Sequence, residues 1–272
     1  MPYPVSATRA SRKTGGLWAE RLSWTWFDYM ANLIQGSRVL VVGGSSGIGR
    51  ATAVLFARAG ARVMVAARRE DRLLALQEQL REEGLTIEIA VADVSSAAAM
   101  EGLAQTTLGK FGGVDTLVYA TGTNTPDRAM SRLTAEIWDM MLNVNLSGAY
   151  YITRAVLPSM RSAKNGHLIY VSSISGVLPD ASGASYQAAK RGLLGLAHAI
   201  RMEERQNHIR TCVVCPGLVD TELMEKRPVK PSAETLQQAL QPEDVADMVL
   251  AVAQLPGRAA VPELHIMPAT LP

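Results

Sequence analysis

Cysteine is scarce in this chain, two residues in 272, and two cysteines build no disulfide framework of the kind small secreted domains depend on. A chain of this length buries roughly three quarters of the surface it exposes when unfolded, so its core needs neither disulfides nor a structural metal. An excess of one charge sign is missing too. Of 27 basic and 25 acidic residues, four basic (Arg9, Arg12, Lys13, Arg21) and two acidic (Glu20, Asp28) fall in residues 1–30, leaving 23 against 23 in the remainder. A neutral body lacks the basic stripe that releases counterions from nucleic-acid phosphates, so small molecules are the expected partners. No apolar run reaches the roughly 18 to 20 residues of a membrane span, and Glu20, Arg21 and Asp28 break the most apolar early stretch and spoil a secretory signal. The expected compartment is the cytoplasm. His167, His198, His208 and His265 stand apart, with no cysteine pair or His–Glu cluster beside them, so no metal site is expected.

Residues 1–36 differ from the rest, with Pro2, Pro4, scattered arginines and three of the four tryptophans, Trp18, Trp24 and Trp26. They read as an N-terminal extension. Three origins stand side by side: a transit peptide, upstream sequence before a start at Met30, or an arm that packs on a partner subunit.

From Arg38 short β-rich runs alternate with longer helical ones, which predicts βαβ units and a parallel sheet. Strands are expected at 38–42, 62–66, 86–90, 116–119, 167–171, 209–214 and 263–266, most of them apolar throughout, as strands buried on both faces are. Helices are expected at 49–59, 69–83, 97–110, 134–161, 185–206 and 242–255, with Gly60 and Gly84 closing two of them and Pro242 opening the last. The fold class is a doubly wound, seven-stranded parallel α/β sheet, helices on both faces, forming one domain over 37–272. Residues 222–240 form a lid.

The apolar run 39–42 enters Gly43-Gly-Ser45-Ser46-Gly47-Ile48-Gly49 and then a helix. Glycines there allow a tight turn and close approach of a pyrophosphate to backbone N–H groups at a helix N-terminus. After the second strand Ala67 stands where an acid would bind a ribose 2′-hydroxyl, followed by Arg68 and Arg69, a pair suited to a 2′-phosphate. The cofactor expected is NADP. The plainer alternative makes both arginines the solvated start of the next helix, near Glu70 and Asp71.

Tyr186 and Lys190 lie four apart on one helix and so share a face, and Ser173 follows an apolar strand at the end that delivers residues to a ligand crevice. Together with Asp93-Val94, Asn145 in Asn143-Val-Asn-Leu-Ser-Gly148, and Cys215-Pro216-Gly217-Leu-Val219-Asp-Thr221, these motifs resemble the short-chain dehydrogenases/reductases, of Rossmann-type fold. The resemblance runs from Arg38 to the C-terminus. It implies Tyr186 as general acid or base, Ser173 as holder of the carbonyl oxygen, Lys190 on the nicotinamide ribose and Asn145 behind a proton-relaying water. It also implies cofactor contacts from Gly122, Asp93, Val94, Pro216, Gly217, Val219 and Thr221. A Lys190 ammonium beside Tyr186 is expected to lower the phenol from its usual value near 10.

Val42 and the run Tyr119-Ala-Thr-Gly122 depart from the family pattern, which puts in doubt the hydrogen bonds between the first and fourth strands. Cys212 and Cys215, three apart on a strand, point to opposite faces and so form neither a redox nor a metal pair. Ile174, Val177, Leu178, Leu218 and Met224 are expected pocket walls, with Ile174, Leu218 and Met224 touching substrate. Lys226, Arg227 and Lys230 could meet an anion or form a solvated face. The resemblance points to an oxidoreductase acting on a ketone or secondary alcohol, near the 3-hydroxy acid dehydrogenases, with 3-oxoacyl thioester reductases and other ketoreductases as competitors, and to a homo-oligomer, dimer or tetramer. Dehydratase or epimerase chemistry and a non-enzymatic NADP-binding sensor are the rival classes.

Overall fold

The structure, a computed structural model, describes residues 34–271, so the readings placed on residues 1–33 lie outside it. Seven strands form one parallel sheet: β1 (Arg38–Val42), β2 (Arg62–Ala67), β3 (Ile87–Val91), β4 (Thr116–Tyr119), β5 (Gly166–Val171), β6 (Ile209–Pro216) and β7 (Glu263–Ile266), in the order β3-β2-β1-β4-β5-β6-β7. The order reverses between β1 and β4, so a crevice opens beyond their carboxyl ends. Eight α-helices are described: α1 (Gly47–Arg58), α2 (Glu70–Glu82), α3 (Ala97–Phe111), α4 (Ala135–Leu142), α5 (Gly148–Ala163), α6 (Ala184–Glu204), α7 (Ala233–Gln238) and α8 (Pro242–Ala253).

Alternation along each strand feeds two cores. Val39 and Val41 of β1 pack with Phe56 of α1, Leu73, Leu76 and Leu80 of α2, and Val245 and Val249 of α8. Leu40 and Val42 face the other way, against Met100 of α3, Ile152 and Val156 of α5, and Leu193 and Ala197 of α6. The same alternation places Cys212 in the first core and Cys215 in the second, both buried and free. Each layer thus buries whole apolar side chains, about 1.5–3 kcal/mol apiece before entropy is charged. Helix ends follow the expected chemistry: Gly60 and Gly84 take φ of +82° and +76°, and at α8 Pro242 starts the helix while Asp244 accepts from the Gln241 N–H at 2.7 Å.

Two expectations need correction. The helix expected over 134–161 is two helices, α4 and α5, joined by a π-helical turn at Asn143–Ser147. The apolar spacing runs on through the turn, with Met141, Val144, Ala149 and Ile152 all buried, so periodicity alone cannot reveal it. Local bonding explains it. The Tyr119 hydroxyl donates to the Val144 carbonyl at 2.5 Å, and the Asn145 amide donates to the Met141 carbonyl at 2.9 Å, groups of the kind that widen a helical ladder. The second correction concerns Val42 and Tyr119, which sit opposite each other in register, with the Ala120 N–H bonded to the Val42 carbonyl at 2.8 Å. Backbone pairing therefore holds β1 to β4 without the usual side chains. The segment 222–240 holds a 3-10 turn at Glu222–Lys226 as well as α7. Leu240 bonds backbone to backbone with Leu218 and Asp220, tying the segment's ends together.

Candidate active site

At the carboxyl ends of β1, β4, β5 and β6 lies a cavity of about 590 Å³. Its floor is the turn from β1 into α1. Gly43 has φ +97°, and a Cβ there would stand 2.6 Å from Thr121 Oγ1; one on Gly49 would stand 2.3 Å from the Gly43 carbonyl. Only glycine lets the turn close this tightly. Ser46 caps α1 in an extended conformation with no side-chain bond to the first turn, so the helix N-terminus offers its N–H groups to the cavity, as an anionic diphosphate requires.

Beyond β2, Arg69 donates from Nη2 to Ser46 Oγ at 2.7 Å and to Ser45 Oγ at 3.0 Å. Its Nη1 meets Glu222 at 2.8 Å, and Arg72 pairs with the same carboxylate. The two guanidinium groups pull the Glu222 carboxyl down to about 2. An anion is thus already seated on Arg69, and with no acid at Ala67 the residues fit a 2′-phosphate better than a hydroxyl. Arg68 lines the same cavity, and its charge also acts on Asp93.

On the opposite wall, β5 delivers Ser173, and α6 delivers Tyr186 and Lys190. Tyr186 is buried, 7% exposed. Burial pushes its phenol up to about 12, while the neighbouring Ser173 hydroxyl and the Arg227 and Arg128 charges pull it down and Asp180 pushes it up. Lys190, the expected partner, sits over its ring. Its Nζ lies 5.7 Å from the ring centroid and donates to the Val171 carbonyl at 3.0 Å. Burial lowers Lys190 to about 8. With that one acceptor among the described residues, the ammonium keeps further protons for a ligand beside Gly122, where an added Cβ would come within 3.3 Å of Nζ, and a ribose diol fits such a donor.

Ser173 donates to Ser175 Oγ at 3.1 Å, and Ser175 donates to Asp180 at 2.5 Å. The serine therefore belongs to a chain anchored on a carboxylate. Asn145, fully buried, accepts from the Thr123 N–H at 2.9 Å and donates to the Thr123 and Met141 carbonyls at 3.1 and 2.9 Å. Its amide pins the loop after β4 to the π turn.

Most of the expected residues converge. Gly43, Ser45, Ser46, Gly47, Ile48, Val94, Gly122, Pro216, Gly217, Val219 and Thr221 line the cavity, as do Ile174, Leu218 and Met224. Others do not. Gly49 and Asn145 lie behind the wall, and Asp93 turns to Ser95, accepting from its N–H and hydroxyl at 3.0 and 2.9 Å. Leu178 is 55% exposed and Val177 packs on the core, so neither is a pocket wall. Lys226 and Arg227 reach the cavity while Lys230 pairs with Glu225 outside it. Sequence reasoning missed Arg128, Asp180 and Thr121, all in the lining. Arg128 had a signal, since it follows β4 on the carboxyl side of the sheet. Among the described residues no helix is long and apolar enough to cross a membrane, and no cluster of ligands fits a metal ion.

A sequence profile described as short chain dehydrogenase matches residues 37–231. The 3-oxoacyl-(acyl-carrier-protein) reductase of Thermotoga maritima is 32% identical over 227 residues, 81% of this chain and 91% of that protein. A putative ketoacyl reductase of monensin polyketide synthase from Streptomyces virginiae is 37% identical over 193 residues, 70% of this chain and 74% of that protein. Among solved structures, the closed form of serine dehydrogenase complexed with NADP+ superposes with a TM-score of 0.79 at 32% identity, covering 86% of this chain and 96% of that one.

Proposed function

The chain belongs to the short-chain dehydrogenases, and from that premise we propose that it is an NADP-dependent oxidoreductase that interconverts a ketone and a secondary alcohol. The observation that carries this reading is the convergence of Ser173, Tyr186 and Lys190 on one cavity with the glycine turn and Arg69. When bound, the nicotinamide supplies or accepts a hydride at C4.

The remaining work falls to the chain. Tyr186, held near 12 by burial, is a phenol at neutral pH, the protonation state that ketone reduction requires of an acid. It gives its proton to the carbonyl oxygen as negative charge builds there, and Ser173 fixes that oxygen beside it. Lys190 positions the nicotinamide ribose and so the reacting ring. Asn145 holds the loop bearing Gly122 and Thr123 against the π turn, and the lid at 222–240 shuts the cavity from water.

NADP is preferred because Arg69, Ser45 and Ser46 converge where a 2′-phosphate would sit. The serine dehydrogenase that superposes on this chain was solved with NADP+, which supports the choice. A homo-oligomer is proposed as well, on the helices the family uses for assembly, where Tyr150 of α5 and Met202 of α6 expose 46% and 54% of their surface; sedimentation tests it.

The functional experiment follows NADPH oxidation over a panel of oxo acids, 3-oxoacyl thioesters, diketones and aryl ketones, with NADH in parallel. Turnover with NADPH preferred is the expected result. Binding of NADPH with silence across the panel would contradict a reductase and favour a sensor.

A further inference from the structure

Three cations face the substrate side of the cavity, and none of them forms an ion pair with an acid among the described residues. Arg128 is 8% exposed, yet it forms no ion pair among the described residues. Its Nε donates to the Thr125 carbonyl at 3.0 Å and its Nη2 to the Lys226 carbonyl at 2.8 Å. Lys226 reaches Thr123 Oγ1 at 2.7 Å, and Arg227 lies close enough for its charge to act on both Arg128 and Tyr186. All three line the cavity that holds Ser173 and Tyr186.

The neighbouring acids are engaged elsewhere. Glu222 is taken by Arg69 and Arg72, Glu225 by Lys230, and Asp127 by Arg132 at 3.3 Å. Asp180, which shares the cavity wall with Glu222, accepts from the Ser175 hydroxyl at 2.5 Å, the Ser182 hydroxyl at 2.9 Å and the Ser182 N–H at 2.8 Å. Serines thus satisfy its oxygens, and its charge answers only part of the surplus.

Burying a guanidinium without a counter-ion is costly. Burial first, and the Arg227 charge second, pull Arg128 below its usual value, with Asp180 and Tyr186 opposing them. The backbone carbonyls of Thr125 and Lys226 fix the guanidinium in place but do not neutralise it. A held, unneutralised cation in a cleft is preorganised for an anion, whose arrival restores the charge-assisted bonds that the fold leaves unmade.

We propose that the substrate of this site carries a free carboxylate, which Arg128, Lys226 and Arg227 take up while Ser173 and Tyr186 hold its carbonyl. This rests on the reductase reading above. The reaction it specifies is the reduction of an oxo acid to a hydroxy acid: NADPH gives a hydride to the carbonyl carbon and becomes NADP+, Tyr186 gives a proton to the oxygen, and the carboxylate is unchanged. Neutral ketones of the same shape would forfeit the anion contacts and leave the cations as they are in the free protein.

The test compares oxo acids of increasing chain length with their methyl esters, followed by NADPH absorbance. Expected is a kcat/KM preference for acid over ester of roughly tenfold to a hundredfold for the best pair, the scale of one or two hydrogen bonds to a charged group. Arg128→Gln and Arg227→Gln each shrink that preference toward unity, and Arg227→Lys restores much of it. Because Arg128 also braces two loop carbonyls, Arg227→Gln, with its Tm measured, serves as the variant that reads the charge alone. A preference for the ester, for a neutral ketone or for a phosphopantetheine thioester, with Tyr186-dependent NADPH oxidation intact, overturns the proposal and leaves the reductase standing. If no acid, ester, thioester or ketone is reduced, the reductase reading fails and the carboxylate proposal falls with it.

Discussion

The two ends of the parallel sheet treat charge in opposite ways. At the amino end, Arg38 gives Asp115 its backbone N–H at 2.8 Å, its Nε at 2.9 Å and its Nη2 at 2.6 Å. Burial pushes the Asp115 carboxyl up, and the Arg38 bonds more than offset it, leaving it below the usual range. Arg161 and Glu204 form a second saturated pair beneath α5 and α6. At the carboxyl end Arg69 and Arg72 share Glu222, but other groups around the cavity are left open. Among the described residues Lys190 has one carbonyl, Arg128 has two carbonyls and no ion pair, and Thr121 Oγ1 is buried with no hydrogen-bond partner. Saturated charges hold the fold together, whereas unsaturated ones store capacity for ligands, since an unmet buried group costs stability that only a bound partner returns.

Substitutions can break that contrast or sharpen it. The largest effect falls at the carboxyl end: Tyr186→Phe should lower kcat by about 10²- to 10⁴-fold, the usual worth of a positioned acid, while NADPH still binds by fluorescence. Lys190→Met should weaken NADPH by roughly tenfold to a hundredfold with no loss of Tm, because it also removes a desolvated charge. Asp115→Asn should do the reverse, costing about 1–3 kcal/mol in chemical denaturation and leaving turnover at 25 °C intact. If it impaired turnover as strongly as Lys190→Met, the division between ends would fail.

The smallest effect probes an exception. His167, at the start of β5, is 2% exposed with neither ring nitrogen hydrogen-bonded, and burial lowers it to about 3. It does not line the cavity, so no ligand of that site can relieve it. With its folded value depressed, the unfolded chain takes up the proton first, and stability falls as pH drops through the unfolded value near 6.5 toward 3. Between pH 7 and pH 6 the loss should be about 0.7 kcal/mol, measured by denaturant melts, and should vanish in His167→Val.

Much of this was legible in the sequence because the signals are local. β-rich runs marked all seven strands to within a residue or two, most of them apolar throughout as strands buried on both faces are, and the glycine turn, Ser173, Tyr186 and Lys190 sit at fixed distances from those strands. What stayed hidden depends on contacts between distant segments. The π turn arises because Tyr119, two elements away, takes the Val144 carbonyl. Arg128 reads as one more loop cation until the chain at Gly183 packs on its backbone and the Lys226 carbonyl receives it. The direction of the Lys190 ammonium was hidden for the same reason: four residues apart on a helix brings two side chains to one face, but the Val171 carbonyl decides where the ammonium points.

The central claim is that the carboxyl end, with Arg69, Ser45 and Ser46 beside the glycine turn, is built for a phosphorylated nicotinamide dinucleotide. It is tested most directly by calorimetric titration of NADPH and NADH into the full chain and into Arg69→Ala, with no substrate present. The account predicts that NADPH binds roughly tenfold or more tightly than NADH, the worth of a charge-assisted bond, and that Arg69→Ala brings the two together. Equal affinities in the parent chain, or no binding of either, would contradict it.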